Sequence, residues 1–283
     1  MPMDGLTAGF AARELDRLLV GGRIDKISQP ERDTVILLIR AEGENRRLLL
    51  CASPNNARCH LTKESFSNPL EPPVMCMMLR KQLMGGRVLS VRQIEGDRVI
   101  HMDVDTIDEM GDHVLRRLIL EIMGRHSNLI LVDGEGRIIE ATRHVSQDMN
   151  RVRQIQPGII YESPPSQDKM VPERADAGEL LRRLRSQGDV PLAKALAQSV
   201  MGLSTVSAGE LAFRVLQSGQ DRSDHLEETS ERLCEFLLKL PSMASPCVTE
   251  DEDGARLDVF AFPYFSVTAG HRREMRTVSE ALE

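Results

Sequence analysis

The sequence predicts an α+β chain: an N-terminal half built from a duplicated helix-plus-β-hairpin unit, followed by an all-α segment of the helix-hairpin-helix type. Three observations predict it. Residues 17–39, RLLVGGRIDKISQPERDTVILLI, lie without a gap over residues 81–103, KQLMGGRVLSVRQIEGDRVIHMD, and share a basic residue, Leu, Gly-Gly-Arg, Gln, Glu, Asp and Val in order. A second stretch, 45–61, lies over 115–131, and two matches in one order mark an internal repeat. A proline-rich run, GIIYESPPSQDKMVPERADAG (158–178), then separates this half from a series of helical patterns.

Each copy opens with a helix and continues into strands. LTAGFAARELDRLLV carries Phe10, Leu15, Leu18 and Leu19 as its apolar residues and stops at Gly21-Gly22. The second helix begins after Glu71-Pro72-Pro73, where Pro73 suits a first turn whose N–H groups have no helical partner, and stops at Gly85-Gly86. TVILLIRAE and NRRLLLCAS follow as strands in the first copy, RVIHMDVDT and LRRLILEIM in the second. SNLILVDGEGRIIEATRHV reads as a hairpin turning at 133–136. Sheets of this kind can pack face to face or curl into a barrel. Beyond the boundary, AGELLRRLRSQ, PLAKALAQSVM, SAGELAFRVLQ and DHLEETSERLCEFLLKL read as helices. MGLSTVSAGE (201–210) joins two of them. Helix-hairpin-helix modules expose backbone N–H groups to phosphate at such a turn, although an ordinary helical turn can carry the same residues. ARLDVFAFPYFSV (255–267) reads as a strand returning to the first unit, and RREMRTVSEALE as the start of a helix. The domain plan is therefore 1–172, 173–241 and 242–283.

Hydrophobic residues make up 41% and charged residues 28%, which is globular, but aromatics are only 3%, so Leu, Ile, Val and the 14 Met must fill the core. No apolar run approaches the ~20 residues of a membrane span, and the acids interleaved in MPMDGLTAGFAARELDRLL argue against a signal peptide there. The five cysteines form no Cys-x-x-Cys pair; they read as reduced thiols of a cytoplasmic chain, and Cys59-His60 as structural. No metal site and no cofactor is expected. Walker loop, Gly-x-Ser-x-Gly elbow and His-Glu-x-x-His are absent, so the chain is not read as an enzyme. Pro2 could supply an N-terminal amine as in formamidopyrimidine-type DNA glycosylases, and a distant kinship of fold with them is expected. Met3 stands where their scheme has an acid, however, and their cysteine finger has no counterpart here.

The net charge of −7 argues against a generic nucleic-acid coat, yet arginines cluster locally in 79–93 and 143–154. Within the gap-free alignment Asp33 falls opposite Asp97, Arg98 replaces Thr34, and Leu37 and Ile39 become His101 and Asp103. Arg98 then falls in step with Ile100, Met102 and Val104, so it must reach the rim or meet an acid or a phosphate; an edge-strand charge that discourages aggregation is the alternative. Glu121, where the first copy has Cys51, needs a basic partner, with Arg98 or Arg125 the obvious candidates. Arg125, His126, Ser127 and Asn128 form a polar turn. Together with Glu121, Arg143, His144, Arg151 and Arg153, the residues Arg125, His126 and Asn128 are the candidates to face or support RNA, although ordinary turn and hydrogen-bond roles remain open for the histidines.

At these residues the chain resembles the NFACT family, which includes RqcH, NEMF and proteins long labelled fibronectin-binding protein A. MDGLT, GGRIDKISQP, PPVMCMMLRKQL, GDR, LILEIMGRHSNLILVD, RHVS, NRVRQIQPG and YESPP carry the resemblance over residues 3–165, and the helices of 175–240 resemble the family's helix-hairpin-helix domain more loosely. The resemblance implies a non-catalytic factor of ribosome-associated quality control. Such a factor binds the obstructed large ribosomal subunit and recruits tRNA, alanyl-tRNA in bacteria, for template-free C-terminal tailing of stalled nascent chains. The family's Asp-Arg pair implicated in tRNA recruitment falls on Asp97 and Arg98. Family members continue into a coiled coil that would begin near Glu283. The same resemblance carries an older alternative, a surface adhesin for fibronectin; a DNA-lesion binder is a third reading, through the glycosylase-like fold.

Overall fold

The computed structural model describes residues 3–216 and 225–283; Pro2, and the ends of the two helical patterns that meet at 217–224, lie outside the described residues. Helix α1 (Gly5–Leu19) starts where the Asp4 carboxylate accepts the Thr7 N–H at 2.9 Å. Strands β1 (Arg23–Glu31), β2 (Thr34–Ala41), β3 (Glu44–Cys51) and β4 (Arg58–Leu61) follow, then α2 (Val74–Leu83) behind Pro73 at its N-cap. The second copy repeats the order as β5 (Arg87–Gln93), β6 (Val99–Ile107), β7 (His113–Glu121) and β8 (Asn128–Val132), and β9 (Ile138–Ala141) closes its last hairpin. The nine strands make one antiparallel sheet in the order β4-β3-β2-β1-β5-β6-β7-β8-β9.

The two copies meet at their Gly-Gly-Arg motifs, and the meeting is reciprocal. Gly21 N–H donates to Val88 O (2.8 Å) and Gly85 N–H to Ile24 O (2.9 Å); Val88 N–H donates to Gly22 O and Ile24 N–H to Gly86 O, both at 2.9 Å. Each second glycine is there because the neighbouring strand leaves no room. A Cβ on Gly22 would stand 2.7 Å from Ile39 Cγ2, and one on Gly86 2.7 Å from Val104 Cγ1. The helices repeat too: Leu15 and Leu19 of α1 correspond to Leu79 and Leu83 of α2, all fully buried. They sit in a core with Val35, Leu37 and Ile39 of β2 and Ile100, Met102 and Val104 of β6.

That pairing corrects the gap-free alignment. Ile39 matches Val104, and Leu37 matches Met102, so the second copy has gained one residue in the turn before β6. The side chain of Gln29 donates to Arg32 O, and that of Gln93 to Asp97 O, each at 2.8 Å. Asp33 O accepts the Ala52 N–H just as Arg98 O accepts the Ile122 N–H. Asp97 therefore corresponds to Arg32, and Arg98 to Asp33: the charge pair is present in both copies in reversed order. His101 and Asp103 replace Ile36 and Leu38, on the face of the sheet turned away from the helices.

The predicted helices are α3 (Ala177–Ser186), α4 (Leu192–Ser199), α5 (Thr205–Val215) and α6 (Leu226–Lys239). Their apolar faces share one continuous core with the sheet and α1, through Leu180, Leu196, Leu211 and Leu233. The chain then returns to the first copy as a three-stranded sheet, β11 (Arg256–Phe260), β10 (Cys247–Glu250), β12 (His271–Glu274). Phe262 packs against Phe10 at 6.1 Å. The expected helix from Arg272 onward begins instead as strand, because 271–274 pairs with β10, and becomes helical only at α7 (Val278–Leu282). The Glu14 carboxylate accepts the N–H groups of Val278 and Ser279, which leads that helix back onto α1. All five cysteines are free and buried, and His60 is buried beside Cys59. Among the described residues no helix is long and apolar enough to cross a membrane.

Candidate functional site

The turn that carries Asp97 and Arg98 is tight and held from three sides. Glu95 (φ 48°) and Gly96 (φ 73°) are both left-handed, and Asp97 N–H closes onto Ile94 O at 2.9 Å. This hairpin geometry suits the right-handed twist of the flanking strands and needs a residue such as glycine at its second corner. The Gly96 carbonyl and backbone pack against Gly5 of α1 and Gly202 between α4 and α5. A Cβ on Gly5 would meet Gly202 Cα at 2.3 Å and Gly96 O at 2.6 Å, and Gly5 N–H donates to Gly202 O at 2.8 Å. The glycine of the helical hairpin is thus seated inside the molecule against α1, where its carbonyl serves a structural hydrogen bond.

Asp97 shapes the turn further by accepting the Arg98 N–H on its own carboxylate at 2.7 Å. Arg98 is half-buried just before β6, and among the described residues its guanidinium has neither hydrogen bond nor ion pair. Lys169 faces this pair. Its pKa lies below the usual lysine value, first because it is partly buried and then because Arg98 is close, with Asp97 acting in the opposite direction. Lys169 Nζ donates to Ala197 O at 3.0 Å and keeps further donors. The arrangement is a tight turn that brings two cations and one acid near one another, able to bind an anionic oxygen. Lys169 was missed by sequence reasoning, since a lone lysine in a proline-rich run has no pattern to mark it.

Glu121 is 1% exposed and its partner is neither Arg98 nor Arg125. The alternation of β7 turns it to the outer face of the sheet, where Arg153 reaches it with both terminal nitrogens (Nη1 at 3.0 Å) and the Tyr161 hydroxyl donates at 2.8 Å. Burial works against the charge of Arg153, but the hydrogen bonds and charge of Glu121 outweigh it and hold its pKa above the ordinary arginine value. Next to them Asp103 accepts from Arg117 Nε (2.6 Å) and Arg92 Nη2 (2.8 Å). Burial raises the Asp103 pKa, while Arg117 and then Arg92 lower it, and the net direction is down. His101, edge-on to Tyr161 at 6.3 Å, has its pKa pushed down to about 4 by burial and then by Arg117.

The remaining predicted residues divide between clamps and a groove. Asn128 is fully buried and spent: its amide donates to Arg143 O at 2.7 Å, while its oxygen accepts from Thr142 Oγ1 and Arg143 N. His144 bonds Glu140 as a structural histidine, and Arg151 is exposed without a partner among the described residues. Arg125, His126, Arg143 and Arg153 instead come together around an open groove of about 660 Å³, floored by Met123, Val145, Met149, Val152 and Ile155. Neither Asp97 nor Arg98 lines it.

The chain matches the family model for the NFACT N-terminal and middle domains over residues 4–283. It is 41% identical over 215 residues to a Bacillus subtilis protein named Rqc2 homolog RqcH, covering 76% of this chain and 38% of that one. The chain thus spans about two fifths of the length of that relative. A human protein named ribosome quality control complex subunit NEMF is 26% identical over 140 residues, half of this chain and 12% of its own length. Among solved structures, the N-terminal part of a fibronectin/fibrinogen-binding protein from Streptococcus suis superposes with a TM-score of 0.83 at 33% identity, over 99% of this chain and 97% of that one.

Proposed function

The chain belongs to the NFACT family, and on that footing we propose that it is the tRNA-recruiting part of a cytoplasmic ribosome quality control factor. It binds tRNA, alanyl-tRNA in bacteria, on the large ribosomal subunit that holds a stalled nascent chain, and it supports template-free tailing without catalysing peptide-bond formation. The observation that carries this reading is the unpaired Arg98 guanidinium beside Lys169 on a turn fixed by Gly5, Gly96 and Gly202. An arginine left half-buried with its guanidinium bonded to no acid has desolvation to recover, and a phosphate oxygen recovers it. The glycine-locked turn fixes the backbone that carries this arginine before RNA arrives, so little backbone ordering entropy is lost on binding. Asp97 serves the turn and orients Arg98; Lys169 adds a second phosphate contact.

The test is binding of tRNA to the 283-residue chain at two salt concentrations, wild type beside Lys169→Ala. Losing one phosphate contact should weaken binding and lower the salt slope by about 0.9 or less. An unchanged slope and affinity in Lys169→Ala would remove that residue from the interface. Failure of the wild type to bind tRNA, either alone or with large subunits present, would overturn the reading.

A second reading, a fibronectin-binding surface protein, is favoured by the name of the S. suis relative. Fractionation of intact cells separates the two, since protease-accessible protein on the cell surface supports the adhesin.

A further inference from the structure

We propose that the groove beside β7 and β8 is a docking site for an acidic linear peptide with one bulky apolar anchor, carried by a separate protein. The inference starts from an exposed apolar surface in a loop that is built rather than loose. Val145 and Ile155 exchange backbone hydrogen bonds at 2.8 and 2.9 Å, and the Asn150 side chain accepts the N–H groups of Val152 and Arg153. Between those ties the loop holds Met149 and Val152 out to solvent at 70% and 76% exposure. Exposed apolar side chains that line a preformed concavity are a mark of a binding surface.

The occupant follows from the rim and the floor together. Arg125 and Arg143 supply the basic rim beside His126, no carboxylate lines the groove, and Arg153, which also lines it, is already paired with Glu121. In a chain of net charge −7 this is a local basic surface that attracts acids. The floor is aliphatic and methionine-rich, and the lining holds no Phe, Tyr or Trp, the large rings on which successive bases of single-stranded RNA stack; His126 at the rim is its one aromatic ring. Methionine and branched aliphatics instead accommodate an inserted leucine or phenylalanine side chain, as on adaptable peptide-binding surfaces. A volume of about 660 Å³ holds one such anchor and its flanking backbone, and Arg125 and Arg143 then pair with flanking acids.

The methyl groups of Met123 and Met149 report occupancy directly. The whole protein, labelled at its methionine methyls, is titrated with the peptide acetyl-DEDLFEDE-amide. In parallel it is titrated with a version carrying Ser-Ser for Leu-Phe, a version with lysine for every acid, and oligocytidylate. The expected result is that only the first peptide shifts both methyls, and that Val152→Glu and Arg125→Ala each weaken it by roughly tenfold or more. Both positions are exposed, and a thermal melt beside wild type confirms that each variant folds. Shifts with oligocytidylate but not with the peptide would make the groove an RNA surface and overturn the proposal. Equal binding of the Ser-Ser peptide, or no shift with any probe, would overturn it as well.

Discussion

The first and second copies of the repeat share one face and differ on the other. On the face toward the helices, Leu15, Leu19, Val35, Leu37 and Ile39 correspond to Leu79, Leu83, Ile100, Met102 and Val104, apolar throughout. On the opposite face the first copy has Ser28, Ile36, Leu38 and Cys51 where the second has Arg92, His101, Asp103 and Glu121. The difference shows which positions the fold requires. Core-facing side chains build the sheet and cannot change character in either copy. The outer face of the second copy lies under the segment carrying Arg153 and Tyr161, and a buried network of charges replaces aliphatic packing there.

The largest way to break that contrast is to remove Glu121. Glu121→Ala leaves Arg153 buried without its acid and the Tyr161 hydroxyl without its acceptor, and should cost about 3–5 kcal/mol. Denaturant unfolding of the single variants and of the double variant with Arg153→Met measures it; the double variant should recover most of the loss.

A pH titration of stability sharpens the same point. The His101 pKa is held at about 4, below the ordinary 6.5, so the unfolded chain takes up the proton first as pH falls. Its neutral ring therefore contributes fully above pH 6.5, and the contribution of roughly 3 kcal/mol is lost between there and pH 4. His101→Ile, the residue of the first copy, should flatten that part of the slope. His60, also pushed down to about 4, keeps the rest, and unfolding across that pH range reads both.

The shared face makes a matched prediction. Gly22→Ala and Gly86→Ala each push a Cβ to within 2.7 Å of Ile39 or Val104, and each should destabilise by about 1–3 kcal/mol. Similar melting-point losses would support the two-fold relation of the copies; loss in only one would contradict it.

The repeat, the paired glycines and most elements were legible in the sequence because apolar period and turn residues carry that information locally. The register of β6 was not. A gap-free alignment cannot see that the turn before β6 is one residue longer than the turn before β2, and the slip hid the reversed charge pair. The partner of Glu121 was equally hidden, since Arg153 lies 32 positions away on an irregular segment. Glu121 could be read as needing a cation, but not as having this one. The strand at 271–274 also escaped, because a charged, exposed edge has no apolar alternation to reveal it.

The smallest expected effect on stability belongs to the residue with the largest expected effect on function. Arg98→Ala breaks no hydrogen bond or ion pair of the side chain among the described residues and should change unfolding by about 0.5 kcal/mol or less. The most direct measurement is therefore tRNA binding by the wild type, Arg98→Ala and Arg32→Ala, the last being the arginine of the corresponding turn in the first copy. Recognition by the second turn predicts that Arg98→Ala weakens binding by roughly tenfold while Arg32→Ala stays within about twofold of wild type. Wild-type affinity in a folded Arg98→Ala, or equal losses in both variants, would contradict it.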